Sequence, residues 1–581
     1  MKHIKSIALL ASVSLSVAAN AVEWNGANGE CAFDDSSKWT GWTSWNSTST
    51  WIVNRSKTAA LCTATMSGDL TLGGTLSFRY TGAGVHFDVA PHVLTVPGLE
   101  FHNSFTPHTV AVDSGTLALW NGTATNTFSF AKNLSGGKLT FSGNQTVFAG
   151  NLLLQEHTNC TMTVSDGAKW YGSLTDSNAG GDRVTITGAG TTVDTVGRSF
   201  KVAGSALKNN VSTESYQKYF RNMYCEISDG AVLKNVTGLY VGEYGNTAEF
   251  VVSNATVSAA EASMTVGDQI SASNNVVRIL DGSSVDVASL ALGGAGRGSV
   301  CVVDGGSHLA FGGDYFRIAN KQSAKDCKLI VSGGATVTNR ATNTYIGTAN
   351  VGALVRVTDG GEFYCQNMVS MPYDSGFGSR IDVSDGGRLV AAGTLCVGFD
   401  NKEVTVPNEL FIGANGTGTV NAVSIRGTGN RVVISNGTLN ASSVAPRNSS
   451  GCTFAVQGAN AKVKTTGDFN FAANAYTLEF ALPKEGFADT PIQCGGVFSL
   501  KSNASLDLSV EYGINGSYRL IKADGGISAG ATVRYLTDLV ASWNEELKAQ
   551  TDYKLKLELR EDNTELWLNA RTKGGLTVIL R

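Results

Sequence analysis

The chain runs to 581 residues, with 68 Gly, only 8 Pro, 16% charged side chains, 42% apolar residues and a formal charge of −4. So many Gly and β-branched residues disfavour long helices, the apolar content is too high for disorder, and the charge gives no reason to expect nucleic acid or an anionic membrane as partner. What remains is a β protein with many turns and a low density of charge.

Residues 1–21 read as a secretory signal peptide. Lys2, His3 and Lys5 are followed by a short apolar run from Ile7 to Val17, and Ala19-Asn20-Ala21 supplies the small-x-small cleavage pattern. The run is too short for a bilayer, which needs roughly 20 apolar residues. The mature chain is therefore expected to begin near Val22, to be secreted or displayed at the cell surface, and to hold no transmembrane segment after cleavage.

Residues 22–60 carry five of the nine Trp, namely Trp24, Trp39, Trp42, Trp45 and Trp51. They are expected to form an N-terminal cap over an apolar core, although the ring faces of Trp39, Trp42 and Trp45 also suit stacking on sugars. Cys31 and Cys62 bracket this segment and are the disulfide candidate in an exported chain. The other Cys are dispersed with no C-x-x-C pair. Cys225, Cys301 and Cys327 lie beside inward strand positions, as small buried hydrophobes do. His86, His92, His102 and His108 fall within 23 residues, but no acidic or Cys partner accompanies them in the sequence, so they read as surface histidines rather than zinc ligands. No metal and no cofactor is expected.

From residue 61 to about 510 a short phrase recurs: an alternating apolar strand, then Ser/Thr/Asp-Gly, then a second strand. It stands as Val164-Ser165-Asp166-Gly167, Ile227-Ser228-Asp229-Gly230, Val357-Thr358-Asp359-Gly360-Gly361 and Val383-Ser384-Asp385-Gly386-Gly387. Between Gly282 and Gly386 the spacing of the first Gly is 23, 28, 27 and 26 residues, a solenoid period. A second phrase keeps step with it, an apolar residue followed by Gly, as in Val241-Gly242, Val266-Gly267, Leu292-Gly293, Ile346-Gly347, Val397-Gly398 and Ile412-Gly413. Two punctuated strands per period fit one coil of a parallel β-helix, a fold whose coils supply two or three strands each. In Arg380-Ile381-Asp382-Val383-Ser384 the two-residue period puts Ile381 and Val383 inside and the polar residues outside. Some 16 to 20 coils, at about 4.8 Å each, predict a rod roughly 80–100 Å long. Its winding is expected to be right-handed, the default for parallel crossovers.

The segment from Leu207 to Tyr224 interrupts the coils, with Tyr216, Tyr219, Phe220, Met223 and Tyr224 in its second half. It is expected to leave the stack as a loop. Residues 511–581 then form a C-terminal β-hairpin/helix cap. Leu539, Val540, Trp543 and Leu547 share one helical face, Tyr553 to Arg560 alternates strictly, and Glu561-Asp562-Asn563 turns into a strand around Leu566-Trp567-Leu568.

Parallel β-helices also carry polysaccharide lyases and glycoside hydrolases, whose chemistry needs clustered carboxylates beside a positioned Arg, Lys or His. Here the Asp residues sit mainly in the repeated turns, where Asx geometry already accounts for them. The expectation is a structural or adhesive protein without catalytic residues, with a carbohydrate-binding protein as the alternative and a polysaccharide-degrading enzyme behind it. Surface polysaccharide or other cell-surface proteins are the expected partners.

The Val-Ser-Asp-Gly-Gly and Val-Gly phrasing resembles bacterial autotransporter-type passenger repeats, as in large exported repeat proteins of the Planctomycetes–Verrucomicrobia–Lentisphaerae group. Trp24-Asn25-Gly26 and Tyr518-Arg519-Leu520-Ile521-Lys522-Ala523 are similar to the ends of such passengers. The resemblance implies a right-handed β-helix at or beyond the outer membrane, adhesive or structural in role. The sequence reaches Arg581 without the amphipathic strands of a membrane barrel, so release or non-covalent attachment is expected.

Overall fold

The computed structural model describes residues 22–572 except 25–27, 56–58, 82, 102–108, 120–126, 130–135, 156–158, 178–179, 205–221, 322, 349–351, 373–375, 401–403, 472–475, 501–503, 530–533 and 550–552. The signal peptide, most of the 207–224 insertion, His102 and His108 lie outside the described residues.

The chain winds as a β-solenoid of about 17 turns. Each turn runs over three faces, with a short strand on each or with one longer strand, such as Thr256–Val266, passing through two of them. Val300–Val303, His308–Phe311 and Tyr315–Ile318 make one turn, and Lys328–Val331, Thr336–Asn339 and Asn343–Ile346 make the next. Successive turns pair in parallel register, with Val300 opposite Lys328, His308 opposite Thr336 and Tyr315 opposite Asn343. The first face runs from Gly29–Ala32 to Ser505–Val510, and the third from Val22–Trp24 to Ile527–Ala529. The third-face ladder is interrupted once, between Leu174–Ser177 and Ser199–Val202, where an eight-stranded sheet ends. Parallel stacking thus reaches into both terminal segments assigned to caps: Cys31 pairs with Ala64, and Lys522 with Gln493.

The alternation of the strands fixes what lies inside. Ile381 and Val383 are buried while Arg380 and Asp382 face outward. One turn cannot bury its apolar face alone, and stacked turns share one continuous core.

The turn between the first and second strands explains the Asp-Gly-Gly phrase. At Asp385 and Gly386 φ is +50° and +82°, so both residues are left-handed, which Asp and Gly tolerate and branched side chains resist. The residue after them must be small for a different reason. A Cβ on Gly387 would lie 2.2 Å from the Val357 carbonyl oxygen of the preceding turn, and buried Ala231, Ala335 and Ser307 take the same place elsewhere.

The apolar-Gly phrase has its own cause. Gly347 (φ +78°) abuts the residue that precedes the first strand of a later turn, and a Cβ there would stand 2.2 Å from Ser379 Oγ. Asn275, Ser299, Cys327, Ser379, Asn408 and Asn430 occupy that column, all buried. The asparagines join turns directly: Ser379 N donates to Asn408 Oδ1 (3.1 Å) and Asn408 Nδ2 to Asn430 Oδ1 (3.0 Å). Ile412-Gly413 does not belong to this series. Ile412 pairs with Val383 and Ile434, so it ends a first-face strand, and the counterpart of Val397 is Ile425. The same dipeptide arises in two places because both follow a buried strand end.

At the N-terminal end Val22–Trp24 pairs antiparallel with Trp39–Thr40 and parallel with Trp51–Asn54. At the other end Tyr553–Arg560 and Glu565–Thr572 form an antiparallel hairpin on Asn515–Ala523. The helix Arg534–Lys548 buries Leu539, Val540, Trp543 and Leu547, the face its sequence predicts. Asn544 receives the Leu557 N–H (2.7 Å) and donates to the Leu557 carbonyl (3.1 Å), satisfying part of a strand edge that would otherwise stay open.

Candidate functional site

Trp39, Trp42 and Trp45 do not form an open platform. Trp39 is buried, donates from Nε1 to the Phe33 carbonyl (2.8 Å), and packs edge-on to Phe33 and Trp51 with centroids 5.1 Å away in each case. Trp45 is half-buried and stacks on Trp51 at 5.4 Å. Trp42 alone of the three is exposed. Trp39 and one side of Trp45 are thus spent on packing, leaving the outer ring of Trp42 for solvent.

Cys31 and Cys62, the disulfide candidate, are both buried and unbridged in this structure. Both point into the core, but Cys31 lies opposite Ala64 and Cys62 opposite Gly29. Burial, and then the neighbouring Cys31, push the Cys62 thiol up to about 11.

His86 and His92 each meet a carboxylate from an adjacent turn: His86 Nδ1 lies 2.7 Å from Asp113 Oδ2 and His92 Nδ1 3.7 Å from Asp69 Oδ1. These partners are 27 and 23 residues away in sequence, which hides them from any local pattern. No group of three or more metal-ligating side chains is assembled among the described residues.

Outward charges on the first face are paired along the rod. Glu226 receives Arg183 (2.9 Å) and the Tyr224 hydroxyl (3.1 Å), Glu249 receives Arg278 (2.7 Å), and Glu409 receives Arg380 (2.7 Å). Burial, and then the Glu226 charge, push the Tyr224 phenol up to about 12. Each of these carboxylates is held by a guanidinium, an arrangement that braces neighbouring turns.

Concave surface lies at the C-terminal end. One cleft of about 220 Å³ is lined by Phe487, Asp489, Thr490, Ser517, Tyr518, Arg519 and Trp567. Three segments build it. The loop after Tyr476–Leu482 carries Phe487 to Thr490, the strand Asn515–Ala523 presents Ser517 to Arg519, and the last hairpin strand presents Trp567 opposite Arg519. Trp567 faces outward because Leu566 and Leu568 take the buried positions either side. That alternation is the one sequence signal that could have found it.

The cleft is rigidly braced. Arg519 Nε donates to Thr490 Oγ1 (2.6 Å), and its Nη1 pairs with Glu565. Trp567 Nε1 donates to Glu565 Oε2 (2.8 Å), and the Arg560 guanidinium lies 4.6 Å over the indole. Asp489 receives Lys462 Nζ (2.7 Å) and the Thr490 N–H (2.7 Å), and the Lys462 bond chiefly holds its pKa down at about 2. Tyr518 is seated by glycines: a Cβ at Gly486 would come 2.1 Å from its Cε1, and one at Gly516 would come 3.0 Å from its hydroxyl. That hydroxyl has no hydrogen-bond partner among the described residues. Aromatic edges, one unengaged hydroxyl and a fixed carboxylate therefore converge on a space about the size of one ring.

No helix among the described residues is long and apolar enough to cross a membrane. Neither a protein-family model, nor a curated protein, nor a solved structure matches the chain.

Proposed function

We propose that the chain is an exported structural or adhesive β-solenoid of the cell surface, acting by presenting a long, rigid lateral surface rather than by catalysis. The observation that carries this reading is the stack of about 17 turns on one shared core. Such a stack transmits position over roughly 80 Å at 4.8 Å per turn, and its outward charges are used to brace neighbouring turns. In this reading the winding is right-handed, the Trp cluster and the helix with its hairpin cap the two ends, and residues 1–21 direct export. Surface polysaccharide or other cell-surface proteins are the partners. The resemblance of the turn phrases to autotransporter-type passengers supports the same role.

The test is a pull-down of the mature chain on insoluble and soluble polysaccharides, with reducing-end and unsaturated-product assays run alongside. Retention on a surface polymer without product release is the expected result. Sustained turnover would overturn the non-catalytic reading, and failure to associate with any surface polymer or cell envelope would overturn the adhesive one.

A further inference from the structure

We infer that the C-terminal cleft between the last turn and the hairpin binds one uncharged sugar ring of a glycan chain, a step that rests on the adhesive reading and gives it a locus. The size fits first. About 220 Å³ admits a single hexose with its hydroxyls, and the open side lets the rest of a chain run out.

The lining fits next. Sugar rings present apolar C–H faces and a rim of hydroxyls that both donate and accept, so a site needs aromatic surface with donors and acceptors set around it. Phe487, Tyr518 and Trp567 supply the aromatic surface, and each is fixed. Phe487 packs on buried Phe480 (6.2 Å), Tyr518 sits over Gly486 and Gly516, and Trp567 is tethered to Glu565. The Tyr518 hydroxyl is available to donate or accept. Asp489 stays ionised and offers an acceptor, while the Ser517 hydroxyl is spent on Asn569 (2.6 Å) and braces the strand pair.

The charge pattern selects an uncharged ligand. Arg519 and Arg560 are engaged with Glu565 and Glu558, and Lys462 with Asp489, so each of these cations already has its carboxylate and none is left to meet a uronate. A preformed, braced cleft also loses little freedom on binding, which raises the affinity that one sugar ring can give.

The experiment titrates the mature chain with soluble cello-, malto-, chito- and mannohexaose by isothermal calorimetry. At least one is expected to bind with a Kd of roughly 0.1–1 mM, the range that about a dozen non-hydrogen atoms of one sugar unit support. Tyr518→Phe removes only the hydroxyl and is expected to weaken that binding about 3- to 10-fold, the loss of one neutral hydrogen bond. Trp567→Ala is expected to abolish it, and Tyr171→Ala, an exposed ring many turns away on strand Lys169–Tyr171, to leave it unchanged. Unfolding midpoints of all three variants are measured alongside, so Tyr518→Phe decides the matter if Trp567→Ala destabilises the hairpin. Absence of heat with all four sugars at millimolar concentration would overturn the saccharide assignment. Binding that survives both cleft variants would overturn this location while leaving the adhesive reading standing, whereas loss of polymer retention by the whole chain would strike that reading instead.

Discussion

Substituting Gly347 by Ala tests the account of the apolar-Gly phrase directly. Two costs are separable there. The left-handed backbone, at φ +78°, costs an L-residue roughly 1–2 kcal/mol. A new Cβ would stand 2.2 Å from Ser379 Oγ but 3.4 Å from Ser379 Cβ and 3.5 Å from Ala353 Cβ, so the clash is with one atom and overpacking of this kind costs about 1–3 kcal/mol. Gly347→Ala is therefore expected to destabilise its turn by about 2–5 kcal/mol. Ser379 Oγ is buried with no hydrogen-bond partner among the described residues, so Ser379→Ala alone is expected to be neutral or slightly stabilising. The double variant should retain only the backbone cost, about 1–2 kcal/mol. Repeat stacks can open piecewise, so the readout is native-state hydrogen exchange of amides in 354–357 and 380–383 alongside urea unfolding. If the two substitutions prove additive, the proposed contact between turns is wrong.

Four further outcomes follow from the same reasoning. Asp489 and Glu558 have pKa values held down at about 2, the first chiefly by Lys462, the second by Lys556 and Arg560. Groups depressed in the folded state stabilise it above their unfolded values of about 4 and lose that contribution as pH falls through the folded ones. The hairpin is therefore expected to loosen between about pH 4 and 2 ahead of the central turns, and equal exchange rates for both across that window would count against it. Asn544→Ala strips two hydrogen bonds from Leu557 and should cost about 1–3 kcal/mol, seen as faster exchange across 553–560 with the central turns unchanged. Trp39→Ala removes a buried ring at the centre of the aromatic cluster and should cost about 3–5 kcal/mol, read from near-ultraviolet dichroism and the unfolding midpoint. Burial pushes the Cys160, Cys301 and Cys365 thiols up to about 12, so a thiol reagent at neutral pH should label them only after denaturation, and rapid native labelling would contradict their burial.

Much of the architecture is legible in the sequence because it is set by rules acting over a few residues. The inward set of Ile381 and Val383, the left-handed Asp-Gly turns, the helix face around Trp543 and the hairpin at Glu561-Asp562-Asn563 each follow from local geometry. What the sequence conceals are relations between turns. The reason for Gly347 lies 32 residues away at Ser379, and Ile412-Gly413 mimics the phrase while sitting on another face. The spacing of Cys31 and Cys62 says nothing of their diagonal register. The carboxylates that meet His86 and His92 come from adjacent turns. The cleft is the extreme case, since Phe487, Tyr518 and Trp567 come from three segments and no spacing links them.

The ladder that joins the turns has a mechanical consequence. Its hydrogen bonds run along the axis of the rod, so tension applied between the two ends loads successive turns in series and strains each rung along its length. Force applied across the side of the rod instead meets the rungs of several turns acting together in shear. A filament of this kind should peel one turn at a time when pulled from a tip, yet resist a sideways drag many times greater. An anchor at one end and contacts spread along the flank would place the load where the lattice is strongest.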